Sequence, residues 1–165
     1  MPGTIHRYLA DDHCRLDELL ERAMSGEMTD AAAYHQFRAG LLKHIGMEEK
    51  ILLPAVQRLR GGEALPIAAK LRLDHGALAA LLVPSPTPSI VAALRAILKD
   101  HNLIEEGPGG LYEQCEESAG AEARQILDAL RNAAEVRVAP HNDGPNVIEA
   151  TRRALAKAGY SLQIN

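Results

Sequence analysis

With 165 residues, 47% of them hydrophobic, the chain is long enough for one domain with a substantial core and an extension. Aromatic residues make up only 3%, with no Trp and one Phe, so local preference runs to helix and no sheet is expected. A net charge of −4 and a pI near 6.0 lack the basic footprint that neutralises nucleic-acid phosphates or docks on anionic lipid, so neither nucleic acid nor membrane is an expected partner.

The first helix is expected from Thr4 to Met24, where Ile5, Leu9, Leu16, Leu19 and Leu20 recur at three- and four-residue spacings. Charge interrupts this stretch every few residues, which fits neither a secretory signal nor a membrane span, and a cytoplasmic location is the expectation. Cys14 and Cys115 lie far apart and outside any CxxC pair, which predicts two reduced thiols.

After Ser25-Gly26, Thr29 is placed to cap a second helix running from Asp30 to about Arg60, its final turns kinked by Pro54. A third helix is expected from Glu63 to about Leu82, ended by the proline-rich linker Pro84–Pro88. Ser89 is then the expected cap of a fourth helix ending at Glu106, before the Gly107–Gly110 break and a short segment from Leu111. A further helix covers Ala121 to Val136. Residues 138–165 read as an appendage, a turn followed by a helix from Asn146 to Ala158 with Arg152, Arg153 and Lys157 exposed, beside a domain over 1–137. Four antiparallel helices with short connections predict an all-α, up-down-up-down four-helix bundle with a C-terminal helical extension.

Chemistry shows where polar residues fall on apolar stripes, because buried His and Glu cost several kcal/mol unless paired or bound to a metal. His44 lies in register with Phe37, Leu41, Ile51 and Leu52, and Glu48 follows one turn later. The fourth helix repeats this, with Leu94, Ile97 and Leu98 before His101, and Glu105 one turn on. His13 lies in line with Leu9, Leu16 and Leu20, and His75 with Ala68, Leu71, Leu78 and Leu82. The chain therefore writes one helical hairpin twice: a histidine, then His-x3-Glu. Six N and O donors of this kind suit iron, manganese or zinc better than calcium or copper(I). The Glu-x-x-His pattern of ferritin-like di-metal bundles is absent.

At these residues the chain resembles the hemerythrin-like family, the HHE cation-binding domains. His44-Ile-Gly-Met-Glu-Glu-Lys-Ile-Leu-Leu-Pro54 is similar to the family's His-x3-Glu-Glu followed by an apolar pair and proline, and His101-Asn-Leu-Ile-Glu-Glu106 with Leu111-Tyr112 to its second copy. Asp12-His13 with Leu16-Asp17, and Asp74-His75 with Leu78, match more loosely; the resemblance covers roughly residues 4 to 118.

The resemblance implies a bundle around two Fe ions, with Mn or Zn as substitutes. His13, His44, His75 and His101 would be terminal ligands and Glu48 and Glu105 bridging carboxylates, while Glu49 and Glu106 would stand behind them or face solvent. Ala79 stands where the oxygen carriers of the family have a further histidine, and His101-x3-Glu105 replaces their His-x4-Asp. The missing ligand implies an open coordination position, favouring reactivity over plain oxygen carriage. The third departure, the Gly107–Gly110 insertion, is expected to distort the end of the fourth helix.

His6 and Asp17 are candidate additional ligands one or two turns from His13, whereas His35 and His141 fall outside the expected site and Tyr34 reads as core. The implied function is a binding or sensing protein for oxygen, nitric oxide or peroxide. The alternatives are an iron donor for damaged iron–sulfur proteins, with an iron-acceptor protein as partner, a metal-free helical interaction module, or a peroxide- or oxygen-consuming enzyme. No proton donor stands out for the last. A homodimer is compatible with any of these.

Overall fold

The computed structural model describes residues 1–165 and is helical, with no strand. The α-helices are α1 (Thr4–Met24), α2 (Ala31–Met47), α3 (Leu53–Leu59), α4 (Ala68–Leu81), α5 (Pro88–Glu106), α6 (Leu111–Ala119), α7 (Ala123–Arg131) and α8 (Pro145–Lys157). A π-helical turn, Glu48–Leu52, joins α2 to α3, and a 3-10 turn, Gly120–Glu122, precedes α7. No helix is long and apolar enough to cross a membrane. The chain divides into two compact units, Met1–Ala68 with Ile104–Val138, and Ala69–Leu103 with Ala139–Asn165.

In unit one, α1 packs along α2, α6 and α7 pack on α1, and α3 packs on α6. The apolar stripes account for this: α1 buries Ile5, Leu9, Leu16 and Leu20, α2 buries Phe37 and Leu41, and α7 buries Ile126 and Leu130. Each such side chain contributes roughly 1.5–3 kcal/mol when fully enclosed.

The start of α1 has no capping side chain of its own. Glu116, on α6, accepts from the backbone N–H groups of Thr4, Ile5 and His6 at 3.2, 2.9 and 3.2 Å, so a carboxylate from another helix sits on the positive end of α1. The cap of α2 is Asp30, whose Oδ1 accepts from Ala33 N–H at 3.0 Å, and not Thr29 as expected.

Pro54 acts differently from the expected kink. It sits in the first turn of α3, where a missing N–H is tolerated, and the irregularity lies just upstream, where Leu53 N–H reaches back five residues to Glu48 O. That π-helical turn begins at Glu48.

Unit two is built from α4, most of α5 and the C-terminal segment. Here α4 begins at Ala68 rather than Glu63, with Pro66 left in a turn. The cap of α5 is Thr87, whose Oγ1 accepts from Ile90 N–H at 3.3 Å, with Pro88 at the first helical position. Ser89, the expected cap, accepts from Asn165 N–H at 2.9 Å instead. Residues 139–165 are stitched into this unit: Thr151 donates to Ala80 O at 3.3 Å, Ser85 binds Asp143 through its N–H and its hydroxyl, both at 2.7 Å, and Leu155 and Ile164 are buried.

Candidate metal centre

Four segments of unit one deliver one buried cluster. His13 comes from α1, His44 from α2, Glu48 from the first residue of the π-helical turn and Glu105 from the last turn of α5. One donor atom from each lies within 4.8 Å of the others, a grouping able to hold a metal ion. Adjacent donors are spaced as ligands require: His13 Nε2 is 3.3 Å from Glu105 Oε2, and His44 Nε2 is 3.4 Å from Glu48 Oε1. Two atoms bound to one ion at about 2.0–2.2 Å stand about 3.0–3.5 Å apart when they are neighbours in its coordination shell.

Each imidazole is held from behind. His44 Nδ1 donates to Asp12 Oδ2 at 2.8 Å, and His13 Nδ1 donates to Glu106 Oε1 at 2.5 Å. A histidine bonded through Nδ1 to a carboxylate turns Nε2 inward as a more basic donor, the arrangement metal-binding histidines use. Arg15 Nε in turn holds Asp12 Oδ1 at 2.8 Å.

The electrostatics follow from burying Glu48 and Glu105 completely. Burial disfavours charge on His44, but Glu48, Asp12 and Glu105 outweigh it and raise its pKa to about 10. His13 is also raised, because its bonds to Glu105 and Glu106 overcome burial and the nearby His44. Burial pushes Asp12 up, but the bond and charge of His44, followed by those of Arg15, hold it below its ordinary value. Two enclosed carboxylates thus demand positive charge, which imidazole protons supply when no metal ion is bound.

Tyr112 completes the cluster. Its hydroxyl donates to Glu48 Oε1 at 2.7 Å and stands 3.2 Å from Glu105 Oε2, 3.1 Å from His13 Nε2 and 3.2 Å from His44 Nε2. Burial and the two carboxylates drive its pKa well above that of a free phenol. The Gly107–Gly110 turn brings it there. Far from distorting α5, which ends at Glu106, the turn closes with Gly110 N–H on Gly107 O at 2.8 Å and starts α6. A Cβ at Gly110 would lie 2.5 Å from Ile104 O and 2.7 Å from Glu105 O, so only glycine lets the two helix ends meet this closely.

Unit two holds the other two histidines together. His75 Nε2 and His101 Nε2 are 3.1 Å apart, both side chains are buried, and His101 Nδ1 donates to Asp74 Oδ2 at 3.1 Å. Burial raises the pKa of Asp74, but bonds to His101 and Lys70 bring it below its ordinary value. Lys70 Nζ bonds Asp74 Oδ1 at 2.5 Å and Ala158 O at 3.2 Å, tying this pair to the C-terminal segment.

Among the remaining candidates, Glu106 bonds Nδ1 of His13 and Glu49 is half-buried. Asp17 and His35 are exposed, His141 is exposed and bonds Val83 O, and Tyr34 packs on Phe37 with ring centres 5.8 Å apart. His6 is half-buried and meets the edge of the Tyr112 ring, with centres 5.6 Å apart, without joining the donor atoms. Sequence reasoning gave no role to Asp12, Asp74 or Tyr112. The signal for the aspartates was present in Asp12-His13 and Asp74-His75; for Tyr112 the break at Gly107–Gly110 erased the periodicity that would have placed it. No family model, no curated protein and no solved structure matches this chain.

Proposed function

We propose that this chain is a non-haem iron protein in which His13, His44, Glu48 and Glu105 hold one ion and His75 and His101 supply the imidazoles of a second. The reading brings with it the hemerythrin-like up-down-up-down bundle and a cytoplasmic site of action. The observation that carries it is the pair of imidazoles in unit one, each fixed at Nδ1 by a carboxylate while Nε2 faces two enclosed glutamates. Hydrogen bonding alone does not require two buried carboxylates and two imidazoles to converge, whereas a divalent cation does.

Bound iron would supply a centre able to take oxygen, nitric oxide or peroxide at an open position. The protein's own part is orientation and charge. Asp12 and Glu106 fix the tautomer of the imidazoles, and Glu48 and Glu105 neutralise the cation.

A second reading, a helical interaction module that holds no metal, is favoured by the closure of the cluster through the Tyr112 hydroxyl. Metal content and the optical spectrum of anaerobically loaded protein, before and after exposure to air, separate the two. Two irons per chain, and a spectral change in air that a His44→Ala/Glu105→Ala variant loses, are expected of the di-iron protein. Colourless protein of unchanged thermal stability after loading leaves the interaction module.

A further inference from the structure

The metal reading leaves one enclosed group without a role: the phenol of Tyr112, around whose oxygen all four donors of the unit-one cluster gather at 2.7–3.2 Å. The ring is fully buried, and His6 and His13 lie against it with ring centres 5.6 and 5.7 Å away. Its helix starts directly from the Gly107–Gly110 turn, whose last glycine is seated on the carbonyls of Ile104 and Glu105. The backbone that carries Tyr112 is thereby anchored beside Glu105. An ion that draws the four donors inward meets the phenol oxygen among them.

We propose that Tyr112 is itself a ligand, coordinating ferric iron as phenolate beside His13, His44, Glu48 and Glu105. The inference rests on the iron reading above and adds a donor to it.

Charge balance in an enclosed site supports the assignment. For the unit-one ion taken by itself, Glu48 and Glu105 carry two negative charges, which match a ferrous ion, and a phenolate supplies the third that a ferric ion needs. Hard anionic oxygen is also the ligand type that the higher oxidation state favours. The step balances simply: the Tyr112 O–H bond breaks, an O–Fe bond forms and the proton leaves to solvent, with no change in oxidation state.

The test loads the full chain with ferrous iron and oxidises it with one equivalent of ferricyanide per iron. The expected product has a visible phenolate-to-iron charge-transfer band, and resonance-Raman ring modes that shift when the protein is made with ring-deuterated tyrosine. Tyr112→Phe should bind iron yet lack both, and ferric loading of the variant should release about one proton fewer. The chain has four tyrosines, so if Tyr112→Phe fails to fold, the band persisting in Tyr8→Phe, Tyr34→Phe and Tyr160→Phe assigns it to Tyr112. Bound ferric iron without phenolate modes, or a band that survives in Tyr112→Phe, overturns the inference and leaves the iron reading intact. Protein that takes up no iron overturns both.

Discussion

The two units hold their histidines by the same device and anchor it differently. In each, an aspartate just before the histidine of one helix bonds Nδ1 of the histidine on the next: Asp12 to His44, and Asp74 to His101. In unit one the aspartate is 15% exposed and braced by Arg15, whose side chain is half in solvent. Asp12 also lines a cavity of about 580 Å³ with Tyr8, Lys43 and Met47. In unit two the aspartate is fully enclosed and bonded to Lys70, which also reaches the backbone at Ala158. The local motif orients an imidazole; its surroundings decide how much of the fold depends on it. A wet anchor serves the imidazole alone, whereas a dry anchor also ties in the C-terminal segment.

The sharpest way to break this comparison is to remove both anchors and measure unfolding in urea without metal. Asp74→Ala leaves the buried His101 beside an enclosed gap, with only the exposed Lys70 regaining water, and should cost about 2–3 kcal/mol, against about 1–2 kcal/mol for Asp12→Ala, which borders a cavity through which water can replace the carboxylate. Equal losses would show that the two anchors are equivalent and the contrast empty.

A smaller effect is expected on metal affinity. Asp12→Asn keeps the shape of the side chain but weakens its hold on His44, and iron affinity measured by chelator competition should fall about 10–100-fold. An unchanged affinity would mean that Asp12 does not orient a ligand.

The pH dependence sharpens the same point. Because the folded-state pKa of His44 is raised from 6.5 to about 10, its proton stabilises the metal-free fold fully below pH 6.5, and that contribution is lost as pH rises through about 10. Melting temperature without metal should therefore decline across this window, and less steeply in His44→Gln. On the proposed iron reading the ion competes with the same proton, so apparent affinity should rise over the same range. A flat melting profile would remove the imidazolium from unit one.

The smallest signal is chemical. Cys14 is exposed, whereas Cys115 is buried, and burial, then Glu48, Glu105 and Glu116, push its thiol up to about 12. A thiol reagent should label one cysteine at once and the second only as unit one opens, and more slowly still with iron bound. Fast labelling of both would show that the cluster is not enclosed.

Much of this architecture was legible in the sequence because it rests on periodicity. The span of α1 follows from the spacing of Ile5, Leu9, Leu16 and Leu20, and the histidines stand on the stripes that made them candidates. Caps were off by one or two positions where neighbouring residues compete for one role: Asp30 beside Thr29, and Thr87 before the helix-starting Pro88 instead of Ser89. What could not be read is contact between distant segments. Glu116 capping α1 and Tyr112 meeting His13 join residues about a hundred positions apart, and no local pattern records either pairing.

The π-helical turn at Glu48–Leu52 carries a consequence for how this chain tolerates changes of length. A π-helical turn is what an α-helix becomes when it absorbs one extra residue, and each residue turns the helix by about 100°. Deleting a single residue such as Lys50, which is exposed, would let the helix run regularly from Ala31 to Leu59 and stay folded as a helix. Because the π-helical turn takes up that residue, the deletion would leave Leu52, Leu53 and Val56 at nearly their present angle to His44, whereas a regular α-helix of unchanged length would turn them by about 100° off the faces they now bury. This stretch is thus a slack turn, from which one residue can be lost without re-aiming the helix that follows.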